Sequence, residues 1–329
     1  FMNEKRMMKV RLLVIISCIF LTGLVHAQPI PAEDENIPHL VTFGRFAETS
    51  WGDDDFSQVF FFSVPENFED PIYIRIYDPD CGGKIDEING IFDTRTEFTI
   101  YGGQGCHSEE DAQGFEPTGN YKSGNMLASK TFGSDPRYDD GWYTFGPFNP
   151  KEGELDPKYG YVFKIIAEGI EGDDGNLYKY FLSTQPDNNV RIEGGNGFCY
   201  EYTFRMWNTA ENDSHIYPYC EEGTVTVKQI NFDWDDDGIL RIVSVARRGE
   251  LGVLSGEDHM SESTFTVDDE EIGTSYDFQF IKKKYPVVMN NNVVISVVNQ
   301  DGEGMKIFNI PIGGVPQYKY NIVGERQKK

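Results

Sequence analysis

The 329-residue chain predicts an all-β protein: two antiparallel β-sandwich domains, of jelly-roll or immunoglobulin-like type, behind a cleaved signal peptide. Three observations carry this prediction. Apolar and polar residues alternate with period two from end to end, and no helical periodicity lasts longer than a turn or two. The alternating runs are separated by Gly, Asp, Asn and Pro clusters suited to turns. A polar, aperiodic segment, AENDSHIYPYCEEG at 210–223, falls where one sandwich would be complete.

The first element is the leader. Lys5, Arg6, Lys9 and Arg11 precede an apolar run from Leu12 to Val25 that ends at Ala27. This order reads as a signal peptide over 1–27. The run is shorter than the roughly 20 residues that cross a bilayer, so no transmembrane span is expected. Ile15, Ile16, Ser17 and Cys18 loosely resemble a lipoprotein cleavage box, which ranks second because the apolar run continues past the cysteine. A secreted or cell-surface location follows. The net charge of −25 repels phosphate backbones and anionic membrane surfaces, so nucleic acid is not expected as a partner.

The first domain spans 28–220. In PIYIRIYD, Ile72, Ile74 and Ile76 share one face and Tyr73, Arg75 and Tyr77 the other. In FCYEYTFRM, Phe198, Tyr200, Tyr202, Phe204 and Met206 line one face of a single predicted strand. QVFFFSV, EFTIYGG, YVFKIIAEG and LYKYFLST add further strands. Between them, residues 102–141 are rich in Gly, Ser, Asp and Pro and long for a structureless loop. They read either as a binding element or as a partly mobile insertion. The second domain spans 221–329, with strands at TVTVKQINF, ILRIVSVA, SYDFQFIKK, NNVVISVVN and KIFNIPI.

Cys81, Cys106, Cys199 and Cys220 remain after the leader. An even number in an exported chain predicts disulfides, with three connectivities open. Zinc is disfavoured, because there is no CxxC pair and His107 is the only nearby histidine.

Acidic loops are the main pointer to chemistry. In NFDWDDDGILRIV (231–243), Asp233, Asp235, Asp237 and Gly238 occupy positions 1, 3, 5 and 6 of a DxDxDG calcium loop. Position 12 is Ser244 instead of a bidentate Glu, so a helical EF-hand is rejected. In YDPDCGGKIDE, Asp78, Asp80 and Asp86 surround a Gly-Gly turn, with Glu87 adjacent. A third cluster holds Asp173, Asp174 and Asn176. Calcium is the expected cofactor, and solvated turns are the competing reading.

Two resemblances bear on this reading. DWDDDGILRIVSVARRGELGVL, within 231–254, is similar to the acidic loop of FG-GAP blades, which implies calcium held between two strands. FFFSVP, YIRIYDPD, FTIYGG and YKYFLST, spread over 56–184, follow an order that resembles the pre-peptidase C-terminal β-sandwich domains of secreted bacterial proteins. That likeness implies calcium bound by acidic loops beside the sheet.

No catalytic residue is assigned. HExxH is absent, and Ser255 in GVLSGEDH has the spacing GxxSG, not that of a nucleophile elbow, despite the neighbouring Asp258 and His259. Trp142 and Tyr143 are candidates for stacking on a ligand, whereas Trp234 shares a face with Phe232 and is expected in the core. The chain thus reads as a non-catalytic binding or adhesion protein with calcium-stabilised loops and an extracellular glycan or protein ligand. The alternatives are a carbohydrate-binding module and an accessory to a secreted polysaccharide-degrading enzyme.

Overall fold

The computed structural model describes residues 29–48, 56–115, 117–234, 238–253 and 259–319. The predicted leader at 1–27, Trp51, Asp235, Asp237, Ser255 and Asp258 lie outside the described residues. Among the described residues every strand pairing is antiparallel, and helix is confined to short 3-10 turns such as Glu33–Glu35. No helix among the described residues is long and apolar enough to cross a membrane.

In chain order the strands are β1 (His39–Phe43), β2 (Ser57–Val64), β3 (Ile72–Tyr77), β4 (Arg95–Gly102), β5 (Asn125–Phe132), β6 (Trp142–Phe148) and β7 (Glu154–Asp156). Then come β8 (Gly160–Glu171), β9 (Gly175–Ser183), β10 (Asn196–Cys199), β11 (Glu201–Arg205), β12 (Ser214–Ile216) and β13 (Thr226–Phe232). The last are β14 (Gly238–Val243), β15 (Arg248–Gly252), β16 (Ser261–Thr266), β17 (Asp277–Lys282), β18 (Asn292–Val298) and β19 (Ile307–Phe308). One sheet has eight strands in the order β16-β13-β18-β11-β1-β9-β3-β6. A second runs β19-β10-β2-β8-β4-β5, with β7 on β8, and a third runs β12-β17-β14-β15.

The first two sheets pack face to face as a sandwich. Ile72, Ile74 and Ile76 are fully buried, as their alternation predicts. They share a core with Phe60, Phe62, Phe98, Phe163 and Ile165 of the facing sheet. Phe60 meets Tyr180 at 5.9 Å and Tyr202 at 5.7 Å between ring centroids, and Phe98 meets Tyr178 at 5.1 Å. Each such side chain contributes roughly 1.5–3 kcal/mol by leaving water. The core continues beneath the third sheet, where Phe204 of β11 meets Phe280 of β17 at 5.3 Å. The eight-stranded sheet carries strands from both sides of residue 220, since β11 pairs β18 along five residues.

Tertiary structure departs from the alternation pattern in two places. FCYEYTFRM is not one strand: β10 belongs to the second sheet, β11 to the first, and the chain changes sheet at Tyr200. Phe198 and Tyr200 pack with Phe61 on the outer face of the second sheet, while Tyr202 and Phe204 enter the space between the sheets. Alternation continues unbroken through such a corner, so it carries no sign of the switch. Residues 102–141 are not structureless either. They contain β5, which pairs β4 at the sheet edge. The stretch before β5 covers the outer face of the second sheet through Cys106, Ala112 and Tyr121. Buried Lys164 fastens that cover by donating to the carbonyls of Tyr121 and Ser123 at 2.5 and 2.8 Å.

The predicted disulfides are not formed. Cys81, Cys106, Cys199 and Cys220 are all free and buried. Cys106 packs under the cover, where its thiol donates to the Val162 carbonyl, whereas Cys81 sits among the carboxylates of Asp78, Asp80, Asp86 and Asp174. Burial beside that negative charge pushes the Cys81 thiol far above its ordinary value.

Candidate metal centre

β3 and β6 are neighbours at one edge of the eight-stranded sheet, with Tyr77 directly opposite Trp142. Residues that follow Tyr77 and residues that precede Trp142 must therefore leave the sheet side by side. The Asp78 amide donates to the Gly141 carbonyl at 2.8 Å, extending the pairing by one step. Asp78 then turns the chain with φ of 52°, a left-handed conformation that Asp tolerates better than most residues. The connection 133–141 folds back over this turn. Its Asp140 amide donates to Asp78 Oδ2 at 3.2 Å, its Asp135 amide to Asp80 Oδ2 at 2.8 Å, and Tyr77 donates to Asp140 Oδ1 at 3.1 Å.

This folding brings Asp78, Asp80 and Asp139 together, each offering a carboxylate oxygen within 4.8 Å of the others. Asp78 is 2% exposed and Asp80 is fully buried. Each spends Oδ2 on a backbone amide and keeps Oδ1 buried without a hydrogen-bond partner. Among the described residues, no lysine or arginine forms an ion pair with any of the three. Burial, reinforced by the neighbouring carboxylates, pushes Asp78 up to about 7 and Asp80 up to about 6. Gly82 and Gly83 make the room: a Cβ at Gly83, where φ is +73°, would lie 3.1 Å from Asp139 Cγ. The Gly-Gly pair thus seats the third carboxylate as well as turning the chain.

Asp86 is not brought into this trio. Its two oxygens accept the amides of Gly82 and Leu177, each at 2.7 Å, so it braces the turn against β9. Asp173 and Asp174 meet Asp93 in a second cluster. There Asp174 accepts amides from Asn89, Asp93 and Thr94 on its two oxygens, and the side-chain amide of Asn176 points inward to Pro79 and Thr96. That cluster is a hydrogen-bonded turn. Asp233 is buried with φ of 68°, and its predicted companions Asp235 and Asp237 lie outside the described residues. Trp234 is fully buried against Phe280 at 5.0 Å, as expected for a core residue.

Trp142 and Tyr143 do not form one surface. As consecutive strand residues they point to opposite faces. Trp142 lies on the outer face against Tyr77 at 5.4 Å, with the Arg75 guanidinium 5.1 Å from its ring. Tyr143 faces the other way, packed on Phe132 and Phe145 beneath the Lys130 ammonium. Sequence reasoning missed Asp139. Its signal lay in SDPRYDDG (134–141), a second acidic turn ahead of an aromatic strand.

No family model matches this chain. No curated protein matches it either. Among solved structures, one neighbour is the crystal structure of the infectious bursal disease virus VP2 subviral particle. It is 10% identical over 88% of this chain and 82% of that one, with a TM-score of 0.15. A likeness at that level carries no argument about fold or function.

Proposed function

We propose that this chain is a non-catalytic binding or adhesion protein of the secreted or cell-surface compartment, with loop ends held by calcium. The observation that carries this reading is the pair of buried carboxylates, Asp78 and Asp80, each with an orphaned oxygen and both clustered with Asp139. Two such charges under 5 Å apart repel by roughly 3 kcal/mol at an effective dielectric of 20. A stability of about 5–15 kcal/mol absorbs few penalties of that size. A divalent cation reverses the sign of the interaction. The donors here are all oxygen, which suits calcium, and the leader predicted from the sequence of this acidic chain fits an export route. The ligand would be an extracellular glycan or protein. Thermal unfolding of the mature protein in calcium and in chelator tests the reading: a Tm indifferent to both ends it.

One observation favours a second reading, glycan recognition. Trp142 is partly exposed on the outer face of the edge strand, flanked by Tyr77 and by Arg75, which also donates to Asn189. An aromatic ring framed by polar side chains suits a sugar ring. Retention on a glycan column, lost in Trp142→Ala, would support it.

A further inference from the structure

β5 and β6 are edge strands of the two packed sheets on the same side, and the connection 133–141 joins them directly. Phe132 of β5 meets Tyr138 and Tyr143 at 5.1 Å each, with the Lys130 ammonium among the rings. The connection is also held by polar contacts, with Asp78 and Asp80 accepting its amides, Tyr77 donating to Asp140 and Lys130 donating to Tyr138, while Asp139 brings a third carboxylate within 4.8 Å of the first two. Without a cation, the group that fastens the loop is also the group that repels it.

We propose that a hard divalent cation at Asp78, Asp80 and Asp139 clasps the two sheet edges together, so that its binding and release control access to the 133–141 connection. This rests on the calcium reading above and adds a consequence to it. The donors are carboxylates from two chain segments, one of them on the connection itself, so a bound ion cross-links the segments. The three donors are all carboxylate oxygens, which suits a hard cation better than zinc. Seating an ion between carboxylates on separate loops suits the tolerant geometry of calcium better than the strict octahedron of magnesium.

Arg137 provides a direct readout. Its side chain is 80% exposed, ion-paired to Asp135 and 5.8 Å from the Tyr138 ring, both within the same connection. Trypsin acting on the full mature protein should cut after Arg137 readily in chelator. In calcium at 100 times its dissociation constant, the cut should be about a hundredfold slower, because the open form falls by that factor. Asp139→Asn, a partly exposed position whose change relieves repulsion without disturbing the core, should be cut at the same rate in calcium and chelator. Terbium luminescence sensitised by Tyr77 and Trp142 measures ion binding separately. Binding with unchanged cleavage at Arg137 overturns the clasp and leaves the calcium reading standing. Absence of binding overturns both.

Discussion

Asp80 Oδ2 accepts the backbone amide of Asp135 at 2.8 Å, joining residues 55 positions apart and belonging to connections on two different strands. The contact fixes where the connection 133–141 lies, and it leaves the other oxygen of Asp80 buried with no partner. Removing the charge while keeping the acceptor separates the two roles. Asp80→Asn should retain the Asp135 contact and lose the calcium response. In chelator the variant should be more stable than wild type, by up to roughly 3 kcal/mol, since one repulsive pair per neighbour disappears. Differential scanning calorimetry with and without calcium checks both halves.

Gly83 tests the seat of the third carboxylate. Gly83→Ala places a Cβ 3.2 Å from Asp139 Oδ2 on a backbone with φ of +73°. It should cost about 1 kcal/mol in backbone strain and raise the calcium Kd about tenfold, ~1.4 kcal/mol. Gly273→Ala is the control. Its φ of +78° imposes a similar strain, but nothing lies within 4 Å of the added Cβ. Calorimetric titration should find calcium affinity changed only at Gly83.

Glu35 predicts a pH dependence unconnected with the acidic cluster. It is fully buried, accepting the amide of Ala32 and the side-chain amide of Asn309, and burial raises it from 4.5 to about 8. The folded chain therefore holds a proton that the unfolded chain releases between those values. Stability from this group is complete below about 4.5 and falls as pH rises through about 8. Glu35→Gln should remove a loss on the order of a few kcal/mol across that window. The difference between wild-type and variant urea midpoints, followed from pH 4.5 to 8, isolates the contribution.

The cysteines give a chemical check of the packing. With Cys81, Cys106, Cys199 and Cys220 buried as free thiols, a thiol reagent should leave the native protein unmodified and label all four after denaturation without reductant. Disulfides would leave them silent in both states.

How much of this was legible from residues alone varies with the interaction concerned. The burial of Ile72, Ile74 and Ile76, and of Trp234, follows from alternation, because a strand with one wet and one dry face writes that contrast directly into its residues. β5 was not legible: as an edge strand it buries little, so its sequence, NMLASKTF, shows almost no contrast. Asp78 and Asp80 were visible as candidate ligands, since two carboxylates beside a Gly-Gly turn are close in the chain. Asp139 was not, because its nearness to them is a consequence of β3 pairing with β6, a contact between segments more than 60 residues apart.

By itself, then, the order of residues determined the fold class, most of the strands and the acid-rich turns, all properties set by neighbours a few positions away. Tertiary structure alone decided which strands share a sheet, where the chain crosses between sheets at Tyr200, and which carboxylates meet. The reason is physical: periodicity records how a segment meets water, whereas pairing between distant edges depends on the sum of many weak contacts that no single segment encodes.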